Sequence, residues 1–370
     1  MTSPRGTGAG TPPPNREAPL GGDPMHSAST GASSAKGRPD SSARMGAARS
    51  AGTGTGRIAV IGAGSIGRPM AERLIECGRD LIVCDPSPAV RAHFAALGCP
   101  TTDTPSDCAD AEIVIFMVAN DAQLRSAATG PSGLIPAIDA SAAPILLIMS
   151  TVLPETVLDV AAEAALRHAR TIDAPVSGGS LKARDGTLSI MVSGDPAHID
   201  AARPVLDQLA SVTFECGALG NGQRTKILNN LVGVANLFLF AETMRIAQLL
   251  GMDLQRLADV MERSSGRNNG TKDWTARQAL FRWNSADLAA ARSVLDVTRK
   301  DLHHALTLAE RAGAATPLLR ALVQGHDETP YGDVLERWRA LASEDGGTGG
   351  RSSTTISSEH EGSSDDDRVP

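Results

Sequence analysis

Between Arg57 and Ile61 runs a short β-branched segment, and from Ile66 to Cys77 the apolar residues Met70, Leu74 and Cys77 recur at helical spacing. The turn joining them, Gly62-Ala63-Gly64-Ser65-Ile66-Gly67, has the pattern G-x-G-x-x-G, and no other stretch restricts the fold so strongly. Gly62 permits the tight turn, Gly64 lets a pyrophosphate approach N–H groups at the helix N-terminus, and Gly67 lets strand and helix pack closely. A second strand-like run, Leu81 to Cys84, ends in Asp85, 18 residues after Gly67. A carboxylate there can accept hydrogen bonds from an adenosine ribose and would repel a 2'-phosphate, so the combination favours NAD over NADP. The plainer alternative is a pair of turn glycines with Asp85 capping the next helix.

The alternation continues. Ile113 to Val118 and Ile145 to Ser150 are strand-like runs ending in polar or small residues, with helix or loop between them. Strand, helix and strand in turn imply a parallel, doubly wound sheet with ligands at the carboxyl ends of its strands. Val118, Ala119 and Gln123 after one strand, and Ser150 and Thr151 after the next, therefore fall where a nicotinamide and its ribose would lie. Thr151 also suits an N-cap ahead of Pro154 and a helix reaching His168. Further on, Asp173-Ala174-Pro175-Val176-Ser177-Gly178-Gly179 offers a stiffened strand exit, a hydroxyl and consecutive N–H groups, either a concavity for a carboxylate or an ordinary turn.

After Gly222 the chain reads as a helix of about 28 residues, apolar on nearly every face from Leu231 to Phe240 and expected to be buried along its middle. Lys226, Asn229 and Asn230 stand in its first turns. Lys226 and Asn230, at i and i+4, share one face and can address the same point in space. A buried ammonium there needs a polar partner; the alternative is a lysine that snorkels to solvent at a helix start.

Composition narrows the class. The 370 residues are 41% hydrophobic but only 3% aromatic, enough for more than one domain with a core of Ala, Leu, Ile and Val. A net charge of −7 and the lack of a basic stripe speak against nucleic acid as the partner. Cys77, Cys84, Cys99, Cys108 and Cys216 form no C-x-x-C pair, which fits reduced thiols in a cytoplasmic compartment, and no His spacing suggests a metal site. The apolar runs are too short for a membrane span. Residues 1–56, with six basic and three acidic residues and almost no large apolar side chain, read as a disordered arm. Its acidic residues and the lack of an amphipathic Leu/Arg stripe argue against an organelle transit peptide. Residues 343–370, with seven acidic and two basic residues, read as a disordered acidic tail.

Four stretches together resemble the β-hydroxyacid dehydrogenase family, which includes 3-hydroxyisobutyrate, L-threonate, tartronate-semialdehyde and 6-phosphogluconate dehydrogenases. They are VIGAGSIGRPMAE in the glycine turn, DAPVSGGSLKA from Asp173 to Ala183, GNGQRTKILNN from Gly220 to Asn230, and Lys300-Asp301-Leu302. Their order and spacing follow the family over about residues 57–325. The resemblance implies an N-terminal Rossmann domain over 57–221, followed by an all-α C-terminal domain over 222–342 that begins with the long helix and usually dimerises or forms a tetramer. It implies Lys226 as general acid/base, Ser177, Gly178 and Gly179 as the binders of a substrate carboxylate, and Asn230 as holder of the reacting oxygen. It gives Lys300 a cofactor contact at the cleft, and it puts Val118, Ala119, Gln123 and Thr151 beside the cofactor with Gly62 to Gly67 and Asp85. Ile66 stands where many members carry Met.

The chemistry agrees. Oxidising an alcohol beside NAD requires hydride to leave carbon while a proton leaves oxygen, so one side chain must accept that proton. A lysine desolvated by Leu228, Leu231 and the sheet, and facing Lys300, has its pKa pushed toward neutrality. Downstream, Met252 to Arg263 and Leu288 to Ala312 read as amphipathic helices. Ser264 to Asn268 reads as a plain connection or as a loop bringing Arg267 or Asn268 to the substrate, and Trp274, Trp283 and Trp338 read as packing residues. The expected activity is hydride transfer between NAD and a small β-hydroxy acid or its semialdehyde. The alternatives are an imine-type reductase of the same architecture, or a non-enzymatic binder that keeps the fold; Lys226 speaks against both.

Overall fold

Four of the strand-like segments are apolar at every position, as a sheet covered on both faces demands. The computed structural model describes residues 56–343 and places these segments side by side. The chain alternates through β1 (Ile58–Ile61), α1 (Gly67–Glu76), β2 (Leu81–Cys84), α2 (Pro88–Ala96), β3 (Thr101–Thr102), β4 (Ile113–Phe116), α3 (Asp121–Thr129), α4 (Leu134–Ala137), β5 (Ile145–Ile148), α5 (Pro154–Ala165) and β6 (Arg170–Asp173). The six strands form one parallel sheet in the order β3-β2-β1-β4-β5-β6, with the order reversing at β1. Ile58 pairs with both Leu81 and Ile113, so the carboxyl ends of β1, β2 and β4 come out level. Side chains alternate between two cores. Ile58 and Val60 face Met70 and Leu74 of α1, while Ala59 and Ile61 join Leu124 of α3 and Val157 of α5.

A second, three-stranded sheet follows, which the sequence reading had not anticipated. It comprises β7 (Val176–Ser177), β8 (Leu188–Val192) and β9 (Ala210–Glu215), with α6 (Gly179–Arg184) and α7 (Pro196–Leu209) interleaved. Strand β8 pairs antiparallel with β7 and parallel with β9. β7 is two residues long and β9 is half-buried to exposed throughout, so neither carries the continuous apolar run that marks the main strands.

From Asn221 on, every element is helical: α8 (Asn221–Leu249), α9 (Leu254–Glu262), α10 (Trp274–Asn284), α11 (Leu288–Arg311), α12 (Pro317–Glu328) and α13 (Tyr331–Ala342). Asp253, Asp273 and Asp287 start α9, α10 and α11 as N-caps, each accepting from a backbone N–H three residues on. Phe240, Met244, Trp274, Phe281 and Trp338 form their core. Trp283 does not share the packing role expected of it, since 78% of its surface is exposed.

Helix α8 also departs from expectation. Its 29 residues bury Val234, Phe240, Ala241, Met244 and Ala247, but Leu228, Val232, Leu239 and Ile246 are each more than half exposed. The apolar residues surround the helix, whereas α11 and α13 cover only part of its circumference. By length and mean hydropathy alone α8 would suit a membrane, contrary to the reading of short apolar runs. Its N-terminus, however, is hydrogen-bonded to the end of β6. The expectations for the N-terminal arm and the acidic tail fall on residues outside 56–343, apart from the end residues Gly56 and Ser343.

Two glycines of α8 make opposite cases. A Cβ on Gly222 would lie 2.5 Å from the Met191 carbonyl oxygen and 2.8 Å from Asp173 Oδ2, whereas one on Gly233 would meet nothing within 4 Å. Gly222→Ala is expected to destabilise by about 1–3 kcal/mol. Gly233→Ala is expected to stabilise by about 0.5–1 kcal/mol, because glycine is the poorer helix former. Paired thermal melts check both signs.

Candidate active site

The glycine turn is built as its pattern requires. Gly62 has φ +92°, and a Cβ on Gly67 would lie 2.0 Å from the Gly62 carbonyl oxygen, so neither position admits a side chain. Nothing lies within 4 Å of a Cβ on Gly64, which leaves its backbone open to a ligand at the start of α1. Asp85, buried at the end of β2, accepts from the Ala63 N–H at 2.8 Å and the Ser87 N–H at 2.9 Å. It does not cap α2, whose N-cap is Ser87.

A cavity of about 750 Å³ runs from this turn to α8 and α11. Its wall includes Gly62, Gly64, Ser65, Ile66, Gly67 and Asp85 at one end, Val118, Ala119, Gln123 and Thr151 in the middle, and Ser177, Gly178, Gly179, Lys226, Asn230 and Lys300 at the other. Of the cofactor, carboxylate-binding and catalytic residues expected from sequence, Ala63 alone is off this wall; it is buried, and its N–H holds Asp85. The middle is fixed by short bonds. The Ser150 hydroxyl accepts from the Val118 N–H at 2.7 Å, Gln123 Oε1 accepts from the Ala119 N–H at 2.9 Å, and Asn120 caps α3. Thr151 is not the N-cap of α5, a place taken by Leu153. Instead its carbonyl accepts from Lys300 Nζ at 3.0 Å. Gly178 and Gly179 have φ of +144° and +75°, a backbone only glycine adopts readily.

Lys226 is 7% exposed, so it does not snorkel to solvent. Among the described residues nothing hydrogen-bonds its ammonium, although it lies on the cavity wall with Asn230. Burial pushes its pKa down to about 8, the nearby Asp301 carboxylate opposes that shift, and the Lys300 ammonium reinforces it. Leu228 is not what desolvates it, being 54% exposed and turned away from the core. Asp301 had been given no role from sequence. Buried on α11, it accepts from Lys300 Nζ at 2.8 Å through one oxygen and from Asn230 Nδ2 at 2.7 Å through the other. Only its position next to Lys300 hinted at this. Three residues on, His304 approaches Asp121 at 3.0 Å and ties α11 to the start of α3. Burial alone would raise the Asp121 carboxyl, but hydrogen bonds from His304, Thr156 and the Leu153 N–H hold it well below its usual range. Its neighbour His303 faces solvent and Asp327, so the two histidines point apart.

The connection after α9 is a local turn. Arg267 pairs with Glu262 at 2.9 Å, Asn268 bonds within its own loop to Gly266, Gly270 and Thr271, and neither residue lines the cavity.

A parallel sheet in this strand order, with its glycine turn opening on a cleft that ends at a buried lysine, defines a nicotinamide-dependent oxidoreductase of the doubly wound type. Residues 57–219 match the family described as the NAD binding domain of 6-phosphogluconate dehydrogenase. Residues 220–329 match that described as NAD-binding of NADP-dependent 3-hydroxyisobutyrate dehydrogenase. The 3-hydroxyisobutyrate dehydrogenase of Pseudomonas aeruginosa is 34% identical over 265 residues, 70% of this chain and 88% of that protein. The solved 3-hydroxyisobutyrate dehydrogenase of Mycobacterium tuberculosis with L-serine superposes at a TM-score of 0.62 with 27% identity, covering 77% of this chain and 99% of its own. An imine reductase of Streptomyces aurantiacus shares the fold at a TM-score of 0.51 with 17% identity, covering 76% of this chain and 99% of its own. The chain belongs to the β-hydroxyacid dehydrogenase family.

The two charges beside Lys226 act in opposite directions. Asp301→Asn is expected to lower the Lys226 midpoint below its value of about 8, and Lys300→Met to raise it. Competitive amine labelling across pH, read by mass spectrometry on the Lys226 peptide, measures both shifts.

Proposed function

We propose that the chain transfers hydride between NAD and a small β-hydroxy acid of the 3-hydroxyisobutyrate kind, with Lys226 moving the proton. The observation that carries this reading is a buried lysine, its pKa pushed down to about 8 by burial, on the wall of the cavity that begins at the glycine turn. The open backbone at Gly64, the close-packed Gly67 and the buried Asp85 fit a dinucleotide, whose nicotinamide accepts or returns the hydride. Ser177, Gly178 and Gly179 offer a hydroxyl and a positive-φ backbone to the substrate carboxylate. Asn230, bonded to Asp301, would hold the reacting oxygen, and Lys300, bonded to the Thr151 carbonyl, would contact the cofactor at the cleft. L-serine, found with the mycobacterial relative, likewise pairs a carboxylate with a hydroxyl on its β carbon.

For oxidation Lys226 must arrive as the neutral amine, so kcat/KM should rise with pH through about 8 and level off above it. For reduction it must arrive as ammonium, so the rate should fall over the same range. Leu228, Val232, Leu239 and Ile246 stand within about 40° of one another around α8, and this exposed apolar stripe supports pairing with a second copy of the chain.

Lys226→Met should lower kcat by about 10²- to 10⁴-fold with NADH affinity kept. Full turnover by a purified variant on 3-hydroxyisobutyrate would refute the role. Asp85→Ser should narrow the preference for NAD over NADP. Wild-type kcat/KM values that are equal for the two cofactors would dispose of the ribose reading.

A further inference from the structure

Asp173, at the end of β6, lies away from the cavity wall and is 0% exposed. Its Oδ2 accepts from the Ser193 hydroxyl at 3.0 Å and the Gln223 backbone N–H at 2.9 Å, and its Oδ1 accepts from Gln223 Nε2 at 2.8 Å. The Ser193 oxygen in turn accepts from the Gly222 N–H at 2.9 Å. Two N–H groups of the first turn of α8, which have no partner within the helix, therefore end on one buried carboxylate and its serine. Burial pushes this carboxyl up to about 6, yet the donors around it favour the ionised form at neutral pH.

The Gln223 side chain carries the constraint onward. Its Nε2 also donates to the Ser150 carbonyl at 2.9 Å, and its Oε1 accepts from the Val152 N–H at 3.1 Å. These two groups flank Thr151, whose carbonyl holds Lys300. Lys226 follows Gln223 by three residues, one helical turn. Both lysines are thus set against the same stretch after β5, Lys300 directly and Lys226 through Gln223.

We propose that Asp173 is a positioning residue for Lys226: by gripping the first turn of α8 and the Gln223 side chain, it fixes where the ammonium rests in the cleft. The inference rests on the general acid/base reading of Lys226. The grip acts through geometry, since the charges that bear on Lys226 are those of Asp301 and Lys300. It also requires a group that only accepts. An Asn amide of the same shape would turn its NH₂ toward either Gln223 Nε2 or the Gln223 N–H, leaving donor against donor in both orientations.

The test uses the full chain carrying Asp173→Asn, Lys226→Met, or both. Asp173→Asn is expected to lower kcat for 3-hydroxyisobutyrate by about 10- to 100-fold, the cost of a displaced catalytic group, with KM for NAD and NADH affinity within about twofold of wild type. Competitive labelling should show the Lys226 midpoint rising from about 8 toward the ordinary lysine range as the ammonium loses its seat. The double variant should be no slower than Lys226→Met alone, because the effect passes through the lysine. An unchanged labelling midpoint, or losses that multiply in the double variant, would overturn the inference. Should Asp173→Asn not fold, Ser193→Ala removes one donor to Asp173 and the acceptor of the Gly222 N–H. It is expected to move the midpoint the same way by less, and no movement would count against the inference. Wild-type turnover by Lys226→Met would instead sink the general acid/base reading, and the labelling midpoint stays readable even if the substrate lies outside those tested.

Discussion

The seating of one helix on one sheet sets everything else in this chain. Helix α8 begins where Gly220, with φ +89°, turns the backbone, and its next residue but one comes so close to β8 and Asp173 that only glycine fits. That closeness lets the carboxylate at the end of β6 meet the positive end of a 29-residue helix. A sheet built from IAVI, LIVC, IVIF and ILLI is rigid because its side chains are fully enclosed on both faces. The helix takes its position from that rigid body, and Lys226 takes its position from the helix. Helix α11 then closes the cleft from the far side, bringing Lys300 and Asp301 within reach of Thr151 and Asn230.

How far this was legible in the sequence follows from how local each signal is. The four apolar tetrapeptides, the glycine turn and Asp85 are short patterns whose meaning depends on neighbours in the chain, and they fell where expected to within one or two residues. Ile113 to Val118 was read two residues too long because Met117 and Val118 are apolar yet already belong to the loop at the cavity. Contacts between distant segments were less accessible. Asp301 stood beside a lysine already singled out, but that its two oxygens would join Lys300 to Asn230, across 71 residues, depends on how α11 crosses α8. The bond between Asp173 and Gln223, across 50 residues, is of the same kind. Hydropathy identifies which residues prefer burial and not which find a cover. Trp283, Val232 and Leu239 were therefore read as packed and are exposed here.

Opposing influences meet at the Lys226 ammonium. Desolvation by itself would drive the amine toward neutrality, while an adjacent unshared carboxylate would keep it charged. Here Asp301 is shared: one oxygen takes the Lys300 ammonium and the other the Asn230 amide, so its pull on Lys226 is only partly free. Burial lowers the pKa, Asp301 restores part of the loss, Lys300 takes some of it away again, and the balance settles at about 8. One pH unit to either side of that value, about nine-tenths of the population is in a single form. The Lys300-Asp301 pair therefore adjusts, without sharing a bond, a proton balance on Lys226 that burial dominates.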